Sequence, residues 1–280
     1  MSVGAGRTGM DVGAGRTSMS AGVREVVRQT FWMTHRRLKA LLRQPGVVII
    51  TLVQPAIWLF LFGSLFRRIV ELPGFGSASY LDYLVPGVVV MNAVSANMWA
   101  GMGAIDEIER GTMNRFLITP VHRSAILNAS VVEQAVSTAF QSLLIVLLGW
   151  VGGASYPGGA PGIAVLVLAS VLIGVVFTAL SNVMGLLVRQ REGIIGLSIF
   201  LLLPLTFLSS AFMAKALMPG WMQGVATANP VSWSLDAARA ALAASPQWTT
   251  VLSYGGWLLL LAVALMWVSV RSFGRYQKTI

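Results

Sequence analysis

Few side chains in this chain stand at spacings that could do chemistry. It has no cysteine and two histidines, His35 and His122, far apart in sequence. Thiol catalysis, disulfides and thiolate metal sites are thereby excluded, and no metal site or catalytic residue is expected. "VGAGRT" occurs at 3–8 and again at 12–17, but no Gly-Lys-Ser/Thr follows it. It is therefore not a phosphate-cradling loop, and this chain is expected to bind no nucleotide cofactor itself. One stretch does concentrate charge. "DEIERGTMNRFLITPVHR" (106–123) holds Asp106, Glu107, Glu109, Arg110, Arg115 and Arg123, in a chain with only 20 basic and 10 acidic residues. A lone acid, Glu133, lies about ten residues beyond Arg123, a helical rise of roughly 15 Å. That depth is within or at the edge of a lipid leaflet, where a carboxylate marks a relay or pathway. The alternative is a helix-end Glu facing protein or water beside a basic residue.

The elements that position these residues follow from composition. The chain is 56% hydrophobic and 11% charged, with mean hydropathy +0.74. Soluble domains carry about a quarter charged residues, so its solvent must be largely lipid. Uncharged runs at Val47–Phe66, Tyr83–Ile105, Gln134–Val188, Gly193–Ala214 and Thr250–Val270 each reach the roughly 20 residues a spanning helix needs. "VGGASYPGGAPG" (151–162) divides the third run into two, giving six spans. The runs are solidly apolar rather than alternating, which favours helices over barrel strands. The expected fold is an all-α polytopic membrane protein whose transmembrane domain occupies 45–271.

An even number of spans puts both ends on one side. The N-terminal region, 106–123, 189–192 and the tail from 271 hold most of the Lys and Arg; only Arg67, Arg68, Lys215 and Arg239 fall in the other loops. Both termini are therefore expected in the cytoplasm. The net charge of +10 is then explained by topology and anionic lipid, with no nucleic-acid partner. Abundant Gly, Ala, Val and Arg with few lysines suit a GC-rich bacterium, and so a bacterial cytoplasmic membrane.

Residues 1–22 are glycine-rich and coreless, a disordered tail. Residues 23–44 differ. At 100° per residue, Val23, Val26, Val27, Thr30, Phe31, Thr34, Leu38 and Leu41 fall on one side and Arg24, Arg28, Arg36, Lys39 and Arg43 on the other, with Arg37 an exception. This predicts an amphipathic helix along the inner membrane surface, either a plain anchor or also a contact for a cytosolic partner. Pro55 predicts a kink in span 1. Arg67 and Arg68 sit outside against the charge bias; they could pair with Glu71 or Asp82, or meet lipid phosphates or an anionic substrate. Segment 212–249 is too apolar for a solvated loop and too broken by proline for a span. It predicts two short helices that re-enter the outer leaflet. Residues 272–280 form a short cytoplasmic tail.

Within 106–123, Thr112–Leu117 can form a short helix between Gly111 and Pro120, too short to be stable without a partner's groove. "ERGTMNRFLITPV" (109–121) resembles the Glu-x-Gly-Thr…Leu-x-x-Pro signature of type-2 ATP-binding-cassette exporter permeases, and more narrowly the daunorubicin/doxorubicin-resistance permease group. "LLRQPGVVIITLVQPAIWLFLFGSLF" (41–66) and "SSAFMAKALMPGWMQGVATANPVSWSLDAAR" (209–239) are similar to that group's first span and outer loop. The resemblance covers about residues 23–280.

It implies a non-catalytic permease subunit that pairs with a second permease, identical or different, above two copies of an ATP-binding subunit holding ATP and Mg. It implies export of hydrophobic drugs or lipids. It also implies that a coupling helix carrying Glu109, Arg110, Gly111, Thr112, Arg115, Leu117 and Pro120 contacts the ATPase, joined by Arg36, Lys39 and Arg43 of the amphipathic helix. Cargo in the family passes along spans 1, 2 and 5, where the polar or aromatic candidates are Asn92, Asn97, Trp99, Thr206 and Ser209. Asn92 and Asn97 could equally be interhelical hydrogen-bonding groups. Two other classes compete. An ion-coupled secondary transporter usually carries several intramembrane acids, and here only Glu133 is available. A membrane enzyme acting on lipids needs a His and carboxylate cluster.

Overall fold

The computed structural model describes residues 45–71, 79–103, 123–188 and 190–276. Among these every regular element is helical. Helix α1 (Pro45–Ile57) runs into a π-helical turn at Trp58–Phe62, a helical segment Gly63–Leu65 and a 3-10 turn at Arg67–Glu71. There follow α2 (Tyr80–Met98), α3 (Arg123–Val151), α4 (Gly159–Val188), α5 (Arg191–Phe207), α6 (Gly220–Ala228), α7 (Pro230–Leu242) and α8 (Trp248–Tyr276).

Among the described residues, four helices are long and apolar enough to cross a bilayer: 80–103, 131–151, 159–185 and 248–272. The other two apolar elements are shorter or interrupted. The first joins α-helical, π-helical and α-helical pieces of 13, 5 and 3 residues. The other, α5, has 17 residues. The sequence predicts an apolar run to Ala214 here; the helix instead ends at Phe207. The chain can leave the helix because other groups take its freed carbonyls. Asn229 Nδ2 donates to Leu205 O at 2.7 Å and to Leu208 O at 3.2 Å.

Helix α4 is the hub, packed against α2, α3, α7 and α8. Two features let it sit so close to α2. One is glycine: a Cβ on Gly101 would meet Ser181 O at 2.2 Å, and one on Gly185 would meet Gly101 O at 2.9 Å. The other is a set of hydroxyls that find partners across the seams. Ser181 Oγ donates to Met98 O at 2.5 Å and accepts from Gly101 N at 2.8 Å, holding the last turn of α2. Ser142 and Ser170 link α3 to α4 at 2.8 Å. Such small-residue and hydroxyl contacts are what hold helices together when lipid removes the hydrophobic incentive.

The segment 212–249 does form two short helices. Helix α6 is peripheral, with Trp221 67% exposed. Helix α7 is deeply set, walled by α2, α4 and α8. Its start is fixed by Pro230 in the first turn and by Asn229, whose side chain caps Val231 N at 2.9 Å. It can sink because Ala237, Ala238 and Ala241 give it a thin face and because Ser234 Oγ donates to Ala169 O at 3.2 Å. Its far end meets the α3–α4 turn, where Gly158 N donates to Leu242 O at 3.0 Å. A Cβ on Gly158 would collide with Ala241 O at 2.2 Å.

Candidate functional site

Helices α1, α2 and α5 line an open-sided cavity of about 290 Å³. Its walls are Gln54, Pro55 and Trp58 from the first helix, Val88, Met91, Asn92 and Ser95 from α2, and Leu202, Leu203, Thr206 and Phe207 from α5. Most of that surface is apolar; Gln54, Asn92, Ser95 and Thr206 punctuate it. The mixture suits an amphiphilic guest, which fills apolar walls while a few polar groups orient it. Pro55 and the π turn shape the first wall, since both loosen the regular backbone ladder and turn side chains out of helical register. Behind Trp58 lies an aromatic cluster: its ring stacks on Phe62 at 4.6 Å and meets Phe212 at 5.4 Å, and Phe207 meets Phe212 at 6.1 Å.

The structure separates the five cargo-path candidates. Asn92 and Thr206 line the cavity. Asn92 Nδ2 also donates to Gln141 Oε1 of α3 at 2.9 Å, which fixes the amide on one side of the cavity. Asn97 lies outside it, 1% exposed, tied among three helices. Its amide donates to Ala93 O and Thr138 Oγ1 at 2.7 and 2.9 Å and accepts from Thr178 Oγ1 at 2.8 Å. Ser209 is buried in the turn after α5, donating to Thr206 O at 2.6 Å and accepting from Ala211 N at 3.3 Å. Trp99 follows α2 and is 38% exposed, away from the cavity. Glu133 is half-buried on α3 and takes part in interactions there. The coupling residues Glu109, Arg110, Gly111, Thr112, Arg115, Leu117 and Pro120, and Arg36, Lys39 and Arg43, lie outside the described residues.

A second construction, at the end of the bundle where α7 sits, was not anticipated. Arg239 of α7 lies over the Tyr83 ring, 3.6 Å from guanidinium carbon to centroid. It donates to Ser210 O at 2.7 Å, Tyr83 O at 3.1 Å and Ala211 O at 3.2 Å. Tyr83 Oη also donates to Ser210 O at 2.7 Å. The residue as a whole is half-buried, but its Nε is fully covered and has no partner. Burial pushes the guanidinium below its ordinary range, and Tyr83 and then Asp236 oppose that. Asp236 is itself paired with Lys215 at 2.5 Å. One arginine thus ties α7, α2 and the turn after α5. The same end is closed by Asp82, whose carboxylate accepts from Ser155 N and Oγ at 2.7 and 2.8 Å.

Gln54, Ser95 and Trp58 are cavity residues that sequence reasoning passed over. The signal for Gln54 was present: it is a lone amide inside an apolar run, one residue before a proline.

The comparisons with known proteins agree with this architecture. Residues 28–243 match the family model described as ABC-2 type transporter. The chain is 29% identical over 213 residues to the daunorubicin resistance ABC transporter permease protein DrrB1 of Streptomyces coeruleorubidus, covering 74% of this chain and 73% of that one. It is 22% identical over 213 residues to the "Probable doxorubicin resistance ABC transporter permease protein DrrC" of Mycobacterium tuberculosis, 76% of each. It is 24% identical over 219 residues to the inner membrane transport permease YadH of Escherichia coli, 75% of this chain and 82% of that one. With the match spanning most of the chain and the helices bearing it out, this protein belongs to the ABC-2 type transporter family and is a multi-pass membrane permease.

Proposed function

We propose that this chain is the membrane path of an ATP-driven exporter for hydrophobic or amphiphilic compounds, drugs or lipids, and that the α1–α2–α5 cavity receives the cargo. The observation that carries the reading is the cavity itself: a largely apolar space with a few fixed polar groups, on the three helices named for cargo by the family resemblance. The relatives' names, daunorubicin and doxorubicin resistance permeases, suggest amphiphilic aromatic compounds as the first to try. The chain is taken to cross the membrane six times, the four long helices being joined by α1 with its π turn and by α5. Both termini would lie in the cytoplasm of a bacterial inner membrane.

ATP and Mg²⁺ would be held by a separate ATP-binding subunit, present in two copies, beneath a pair of permeases that are identical or different chains. Segment 106–123 would dock on it. Charges of both signs there set the register on a partner more than they add affinity, and Gly111→Pro or Glu109→Arg should leave insertion intact while uncoupling hydrolysis from transport. An ion-coupled transporter is the alternative, and the scarcity of acids on the spans argues against it.

The test has two arms. Purification of the tagged chain from its native membrane should bring down an ATP-binding subunit; purification without one would sink the ATP-driven reading. Reconstituted with that subunit, the complex should accumulate daunorubicin against its gradient, and Thr206→Trp, which fills the cavity, should lower that rate at least tenfold with subunit recovery unchanged. Unchanged flux in Thr206→Trp would remove the cavity from the path.

A further inference from the structure

A second cavity, of about 470 Å³, lies between the π turn, the start of α2 and the α3–α4 turn. It is distinct from the cargo cavity in lining and in character. Arg67 reaches into it beside Ser64 and Ser79, while Leu59, Phe60 and Leu81 make an apolar wall. Arg67 is exposed and, among the described residues, has no ion-pair or hydrogen-bond partner. The acids that sequence suggests for it are not used: Asp82 is taken by Ser155, and Glu71 makes no ion pair among the described residues.

Next to this cation the surface is greasy. Phe60 is 49% exposed, Leu61 56% and Leu65 67%. A guanidinium with no ion pair among the described residues, opening onto an apolar flank at the end of a membrane bundle, matches a molecule with an anionic head and hydrocarbon tails. The planar fork of arginine binds phosphate in two-pronged fashion, where an ammonium offers only a point charge. The room available is far more than a water needs and comparable to small-molecule sites.

We infer that this cavity is a binding site for the phosphate of an anionic amphiphile, with Arg67 as its ligand and the Phe60–Leu65 flank as the resting place of its chains. The site stands apart from the cargo cavity, so it survives or fails independently of the transport reading. Because both faces of a bilayer carry phosphate, it does not depend on the orientation of the chain either.

Native mass spectrometry on the full chain, released from mild detergent with added lipid, tests it. Phosphatidylglycerol should be retained at least tenfold over phosphatidylcholine of the same chain length. Arg67→Gln should abolish that preference, Arg67→Lys should weaken it by a few fold, and Arg68→Gln, which does not line the cavity, should leave it intact. Titration with inorganic phosphate separates the sources. Displacement of the lipid at millimolar phosphate supports a site for the headgroup alone, and resistance supports one that needs the chains. Equal retention of the two lipids by the natural chain, or an unchanged preference in Arg67→Gln, overturns the inference.

Discussion

Replacing Arg239 by Met removes the charge and keeps most of the volume. Three carbonyls lose a charge-assisted donor, but not equally. Ser210 O still accepts from the Tyr83 hydroxyl, and Tyr83 O lies in the first turns of α2, where the helix offers it an amide. Ala211 O is the acceptor left without its described donor. An orphaned buried acceptor costs about 1–3 kcal/mol. The contact with the Tyr83 ring, at 3.6 Å and desolvated, adds about 2 kcal/mol. Against this, the variant no longer buries a guanidinium whose Nε is unpartnered, which returns part of a penalty of several kcal/mol. The net expectation is a loss of about 2–3 kcal/mol, roughly a hundredfold in the folding equilibrium at 1.4 kcal/mol per tenfold. Arg239→Lys should recover little, since an ammonium cannot reach three carbonyls in a fork. Lys215→Met breaks a partly exposed pair and should cost less than about 1 kcal/mol. Reversible unfolding in mixed micelles with SDS, followed by tryptophan fluorescence, measures all three. Arg239→Met within 0.5 kcal/mol of the natural chain would refute the reasoning, because burial and bonding would then cancel.

Gly101→Ala should prevent assembly of the α2–α4 seam, since its Cβ would lie 2.2 Å from a backbone oxygen that cannot swing away; Gly196→Ala meets nothing within 4 Å and should be silent. Yield of monodisperse protein on size exclusion distinguishes them. Asn97→Leu removes three hydrogen bonds among α2, α3 and α4 and should cost about 1–2 kcal/mol in the same SDS titration. If the α1–α2–α5 cavity carries the cargo, its daunorubicin flux, corrected for folded protein, should be unchanged, because the side chain lies outside that cavity.

The long helices were legible because each is a nearly unbroken apolar run, and lipid solvent allows little else. The break between α3 and α4 was legible too: it needs Gly153 and Gly159 at φ of 95° and 59°, and the sequence supplies glycines there. Helix α7 was legible as a helix from the good helix formers of "DAARAALAA" (236–244), but its start at Pro230, six residues before Asp236, was not. Nor was its depth. Ser232, Ser234, Asp236 and Arg239 look like an interfacial face, and only the partners Ala169, Ser210 and Tyr83, far away in sequence, make that face buriable. The end of α5 was misjudged for the same reason, since an apolar stretch does not announce that Asn229 will take its carbonyls. The α1–α2–α5 cavity is a property of spacing between helices that no periodicity in one of them encodes. Asn92 and Thr206 could be nominated as polar residues on spans, but nothing local separated them from Asn97.

The seat of α7 has a bearing on biogenesis. Thirteen residues are about 20 Å of helix, too little to cross a bilayer. One of its three walls, α8, follows α7 in the chain. Helix α7 therefore cannot be fully seated until α8 has been added. A chain truncated before Trp248 and released would leave α7 without that wall, so quality-control proteases should meet such a product first at this element.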